Sequence, residues 1–125
     1  MNGRSLIFFW LVLVLIFLMF TSPILAYYNP GQPTGFVNDY ANVLKSEQKQ
    51  ALENKLSQFE KETSHEISVV IIKNLDGDTV DNFANELFKD WGIGKKSKNN
   101  GVLVLIALAE KKMKFEVGYG LEGAL

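Results

Sequence analysis

The chain has 125 residues, with 13 basic side chains, 14 acidic ones and no cysteine. That length holds one small domain. The missing cysteines exclude a disulfide framework, a thiol nucleophile and a thiolate metal site, and the near-neutral charge excludes the electrostatic footprint of a nucleic-acid binder.

The first quarter of the chain stands apart. Leu6 to Phe20 is unbroken apolar sequence behind a single cation, Arg4, and is followed by Thr21, Ser22, Pro23 and Ala26. A charged start, an apolar stretch, a helix breaker and a small residue are the parts of a secretory signal peptide. About 15 apolar residues make a helix of roughly 22 Å, short of the ~30 Å hydrocarbon core. Residues 1–26 are therefore expected to be a signal peptide cut near Ala26, with an uncleaved anchor as the alternative. Past Ala26, twelve basic residues face fourteen acidic ones, a net charge of −2.

Residues 27–35 (YYNPGQPTG) carry two prolines and two glycines and read as a linker. Phe36 to Leu44 shows no clear periodicity. Ser46 is a candidate N-cap, and Leu52, Leu56, Phe59 and Thr63, with Ala51 beside them, form the apolar stripe of a helix over Glu47 to Thr63. Ile67 to Ile72 is a dense β-branched run expected to form a strand buried on both faces. A turn at Asn74 to Thr79 leads into a second helix, whose inner face is Val80, Phe83, Ala84, Leu87, Phe88 and Trp91, and Gly92 supplies a left-handed stop. Val102 to Ala109 is a second apolar strand. Met113, Phe115 and Val117 alternate with charge in a third, paired antiparallel with the second. The helix joining the first two strands predicts that they run parallel through a right-handed crossover. The expected fold is α/β, a layered α/β/α sandwich with a mixed sheet, in the order helix, strand, helix, strand, strand.

Few residues carry chemistry on their own. Gly118, Gly120 and Gly123 spell G-x-G-x-x-G, but a dinucleotide site needs that pattern between a first strand and its helix. Here it follows a hairpin and includes Glu122, so the glycines are read as a sharp strand exit at positive φ and no nucleotide is expected. Asp76, Asp78 and Asp81 cluster at the second helix's start, where acids complement the dipole more often than they bind Ca²⁺. Lys95, Lys96 and Lys98, followed by Asn99, Asn100 and Gly101, read first as a solvated loop and second as a contact for lipid phosphates or an acidic partner. His65 has no second histidine or cysteine to share a zinc ion. Asp39 and Glu122 lie at opposite ends of the domain sequence and could meet only through the fold. No catalytic residue is named by these patterns.

The ordered pieces nevertheless resemble one family. Val37-x-Asp39-x-Ala41-x-x-Leu44, Trp91-Gly92-x-Gly94, Asn100-Gly101-Val102 and Gly118-x-Gly120-Leu121-Glu122 resemble the TPM domain family of YgcG-like extracytoplasmic proteins, over residues 35–125. The resemblance implies an exported, membrane-associated α/β interaction module over residues 36–125, serving a membrane protein complex at the membrane surface. It also implies a weak metal-dependent acid phosphatase as the alternative, with calcium or magnesium held by Asp39, Asn100 and Glu122. Family members usually continue past the glycine exit with an aspartate and a further helix. A chain without that helix is expected to leave one sheet face uncovered.

Overall fold

The computed structural model describes residues 2–20, 27–94 and 99–121. Helix α1 spans Gly3–Met19, and every residue in it is exposed. No described helix is long and apolar enough to cross a membrane. The domain that follows is built from β1 (Val37–Asp39), α2 (Ser46–Thr63), β2 (Glu66–Ile72), α3 (Val80–Trp91), β3 (Gly101–Ala107) and β4 (Lys112–Val117). A single 3₁₀ turn, Tyr119–Leu121, closes the described chain.

The four strands form one sheet in the order β1-β2-β3-β4, the first three parallel and β4 antiparallel to β3. Strand β1 is an addition to the expected order. Its three residues include Asn38 and Asp39, so neither length nor apolar alternation marks them as a strand.

Side-chain parity sorts the sheet into two faces. Val70 and Ile72 of β2 share one face with Leu103, Leu105 and Ala107 of β3, and α3 covers that face with Phe83, Ala84 and Leu87. Val37 and Ile71 point the other way, toward α2, whose Leu56 is buried. Helices α2 and α3 therefore lie on opposite faces, which makes the expected three layers. Strand β2 is buried on both faces only at Val70, Ile71 and Ile72, while Ile67 and Val69 keep partial exposure.

The α2 side of the sheet is incompletely covered. Val102, Val104 and Ile106 of β3 pair with Val117, Phe115 and Met113 of β4 across that face. Met113 is 55 % exposed and Phe115 57 %. Helix α2 packs on β1 and β2 and leaves this apolar half-face open among the described residues. For the same reason the stripe of α2 is only partly buried: Leu56 is covered, whereas Ala51, Phe59 and Thr63 remain exposed.

Residues 27–35 have no regular secondary structure, yet they are not a free linker. Tyr27 and Tyr28 each stand edge-on to Phe83, with ring centroids 5.0 Å apart. The Tyr28 hydroxyl donates to the Asn74 carbonyl at 2.7 Å, and Trp91 Nε1 donates to the Gly31 carbonyl at 3.0 Å. Tyr27 donates to Asp90 at 3.1 Å; burial first, and then this hydrogen bond, push its ionisation well above the usual tyrosine range. The prolines and glycines give an irregular backbone, and the aromatic side chains fasten it as a strap on α3.

Helix ends follow local chemistry. Lys45, rather than Ser46, is the N-cap of α2, and its amide is held by the Gln48 side chain at 2.9 Å. Thr79 caps α3 by accepting the Asn82 amide, and Gly92 ends it at φ +59. Phe83, fully buried between the strap and the sheet, is the test of this core. Phe83→Ala is expected to destabilise the domain by about 3–5 kcal/mol, read from its urea midpoint.

Candidate functional site

The residues singled out in the sequence fall at two different ends of the sheet. Asp39 lies at the end of β1, opposite Ile71, which pairs with Ile106. Its Oδ1 accepts the Ala41 amide at 3.2 Å and its Oδ2 accepts the Leu44 amide at 2.8 Å. The spacing Val37-x-Asp39-x-Ala41-x-x-Leu44 thus has a geometric reason. Val37 is buried under α2, and the carboxylate gathers the two amides of the loop that leads into that helix.

Asn100 sits at the other end, just before β3. It is buried, and its Nδ2 donates to the Ser64 carbonyl at the C-terminus of α2, while its own carbonyl accepts the Glu66 amide at 3.1 Å. Six residue steps along β3 separate it from Ile106, the level of Asp39. At ~3.3 Å per residue the two side chains stand roughly 20 Å apart. One cation cannot be shared between them. Glu122, the third candidate ligand, lies outside the described residues, as do Gly123 and the lysines at 95, 96 and 98.

Around Asn100 the glycine motifs meet backbone to backbone. A Cβ on Gly94 would stand 2.5 Å from the Gly101 nitrogen, and one on Gly101 would stand 2.5 Å from the Gly94 nitrogen. A Cβ on Gly118 would fall 2.2 Å from the Asn99 carbonyl oxygen. Gly120 donates its amide to that same oxygen at 3.1 Å. Among the described residues the positive-φ glycines are Gly31, Gly77, Gly92 and Gly94, so the Gly118 and Gly120 exit does not rest on left-handed backbone. At Gly118 the need is for space. Glu66 completes the junction, its Oε2 accepting the Gly94 amide at 2.8 Å and its Oε1 the Ser68 hydroxyl at 3.2 Å.

The acidic turn is likewise occupied by its own backbone. Asp78 Oδ1 accepts the Thr79 amide at 2.8 Å, and both of its oxygens accept from the Asn82 side chain. Asp81 pairs with Lys114 at 2.9 Å, a contact that lowers the aspartate's pKa and raises the lysine's. Among the described residues no group of three or more histidine, aspartate or glutamate side chains could hold a metal ion. His65 stands between α2 and β2 with Nδ1 buried and without a hydrogen-bond partner.

Two further carboxylates carry structural roles that spacing did not signal. Glu53 of α2 reaches across to β1 and accepts the Phe36 and Val37 amides, each at 2.8 Å. A Cβ on Gly35 would stand 2.5 Å from Glu53 Oε1, so the glycine leaves room for that reach. Glu110, in the β3–β4 turn, accepts the Leu75 amide at 2.9 Å, with its second oxygen buried and unpartnered. A cleft of about 180 Å³ between α3 and the end of β4 is lined by Asn85, Phe88, Asn99, Glu116, Gly118 and Tyr119.

A three-layer α/β domain whose glycine junction and aspartate loop coincide with these motifs defines a class that can be compared directly. The family model described as the TPM domain matches residues 37–125. The chain belongs to the TPM domain family. Among solved structures, it is similar to the N-terminal domain of a protein from P. gingivalis, at 29 % identity and a TM-score of 0.68, covering 78 % of this chain and 68 % of that one. It is also similar in fold to the N-terminal domain of a Corynebacterium glutamicum protein, at 16 % identity and a TM-score of 0.61, covering 80 % of this chain and 66 % of that one. The chain thus spans about two thirds of each of these structures. No curated protein matches it.

Two substitutions separate structural from ligand-binding roles. Asp39→Ala should destabilise the domain by about 1.5–3 kcal/mol through its charged hydrogen bonds, with the same loss of melting temperature in calcium and in chelator. Gly118→Ala, which drives a methyl into backbone, should cost more than Gly92→Ala, where the space is open and the left-handed φ alone costs about 1 kcal/mol. Paired urea titrations read both differences.

Proposed function

We propose that this chain is an exported TPM-domain interaction module that works at a membrane surface and assists a membrane protein complex. The observation that carries the reading is the open apolar half-face of Val102, Val104, Ile106, Met113, Phe115 and Val117. Met113 and Phe115 stand exposed on it and the four other residues are half-buried, an apolar surface that calls for a cover, whether a further segment of the protein or a partner. The charged residues of the same hairpin, Lys112, Lys114 and Glu116, turn to the α3 side and leave that surface uninterrupted. The apolar sequence of α1 supports delivery out of the cytoplasm, since a charged start, an apolar run ending at Phe20 and a small residue at Ala26 are what an export machinery reads.

The alternative, a metal-dependent phosphatase, would use a cation to polarise a phosphoryl oxygen and orient water. The separation of Asp39 from Asn100 does not favour it, because each side chain already serves its own end of the sheet.

The test is an export and capture experiment in a bacterial host. A reporter active only outside the cytoplasm, fused after Leu125, should be active, and Phe115→Lys should weaken recovery of membrane proteins with the domain without lowering its melting temperature. A fusion that accumulates in the cytoplasm with its reporter inactive would overturn the export reading. Phosphomonoester hydrolysis by the purified chain at about 1 s⁻¹ or faster would replace the interaction role with a catalytic one.

A further inference from the structure

Strand β4 ends the sheet, and among the described residues nothing pairs with its outer side. The direction of its backbone groups follows from one bond. The Gly118 amide donates to the Gly101 carbonyl at 2.9 Å, at the position where the β3–β4 register places those two residues opposite each other. Hydrogen-bonded pairs alternate along an antiparallel ladder. Glu116, Lys114 and Lys112 therefore turn their amides and carbonyls toward β3. Met113, Phe115 and Val117 turn theirs outward, to the free edge.

A lysine on an edge strand ordinarily repels a second strand. Here the sequence Lys112-Met113-Lys114-Phe115-Glu116-Val117 cancels that repulsion in one arrangement. If two copies of β4 lie antiparallel about a two-fold axis through Phe115, Lys114 of each copy stands opposite Glu116 of the other. Met113 stands opposite Val117, and Phe115 opposite Phe115. The outward amides and carbonyls of Met113, Phe115 and Val117 then all find partners. Moving the axis by one residue to Lys114 keeps the backbone bonds and pairs Lys112 with Glu116, but it sets Lys114 against Lys114, and moving it to Glu116 sets Glu116 against Glu116. Like charges directly opposite are destabilising, so the charge pattern selects the Phe115-centred register.

The other face agrees. Glu116 is only loosely held in the single chain, by Asn85 at 3.5 Å, and the Lys114 side chain keeps 37 % of its surface exposed even while paired with Asp81. Both can answer a second strand. We propose that the free edge of β4 is a self-recognition surface that joins two copies of this chain into one continuous eight-stranded sheet centred on Phe115. The pairing goes beyond the interaction role. It leaves the apolar half-face uncovered and makes the two half-faces a single floor.

The chain contains no cysteine, which allows a position-specific test on the full chain in detergent. A hydrogen-bonded antiparallel pair sets its Cα atoms ~5.5 Å apart, within disulfide reach. Phe115→Cys should therefore form a covalent dimer under mild oxidation. Met113→Cys and Val117→Cys should each stay monomeric alone and cross-link when mixed. Adding Glu116→Lys should abolish the Phe115→Cys cross-link, because lysines then face one another. Melting temperatures equal to the parent's establish that each variant is folded; Lys89→Cys, on the surface of α3, serves as a control for random collision. Cross-linking of Lys114→Cys in place of Phe115→Cys would assign the wrong register and overturn the proposal. Equal cross-linking at every position, as association through α1 would give, would also overturn it, and so would a monomer throughout.

Discussion

The arrangement depends on carboxylates that hold backbone amides at the ends of strands. Asp39 fixes the loop after β1, Glu53 fixes the entry to β1, Glu66 binds the Gly94 amide, and Glu110 binds the Leu75 amide beyond β2. Each satisfies a donor that no neighbouring strand reaches. A hydrogen bond to a charged acceptor contributes about 1.5–3 kcal/mol, more than a neutral one. For a domain with no disulfide and, among the described residues, one sheet face half covered, such clasps secure elements too short to secure themselves. Strand β1, with three residues, is the clearest case.

The same bonds explain why the motif residues gather into two groups. The aspartate loop lies at the C-terminal ends of the parallel strands, and the glycine junction lies at their N-terminal ends. In an open α/β sheet, ligands ordinarily settle outside the carboxyl ends. That end here is filled by turns whose acids point back at their own amides. The opposite end is closed by backbones packed at distances that only glycine permits. Among the described residues, what the sheet leaves open is its side: the apolar half-face and the edge of β4.

Much of this was legible in the sequence. Helical periodicity gave α2 and α3, dense apolar runs gave β2 and β3, and the alternation of Met113, Phe115 and Val117 with charge gave β4 and its hairpin. The structure changed what periodicity does not encode. Strand β1 is recognised only through its neighbours, since Asn38 and Asp39 look like loop residues until Val37 is seen under α2. The strap at residues 27–35 has the composition of a linker, and its attachment rests on aromatic contacts with residues more than fifty positions away. Glu53 and Glu66 look like ordinary surface charges, because the amides they accept are brought near only by folding. Asp39 and Asn100 were legible as special residues, but their spacing in the chain held no information about their distance in space.

The strap also decides how the domain would bear load. A pull applied through α1 arrives first at Tyr27 and Tyr28, whose rings rest on Phe83, and then at Gly31, held by Trp91. Force would enter through the α3 layer, peeling the strap before it reached β1. Tension on α1 would therefore unzip a few aromatic contacts one after another, while the parallel strands behind them kept their register.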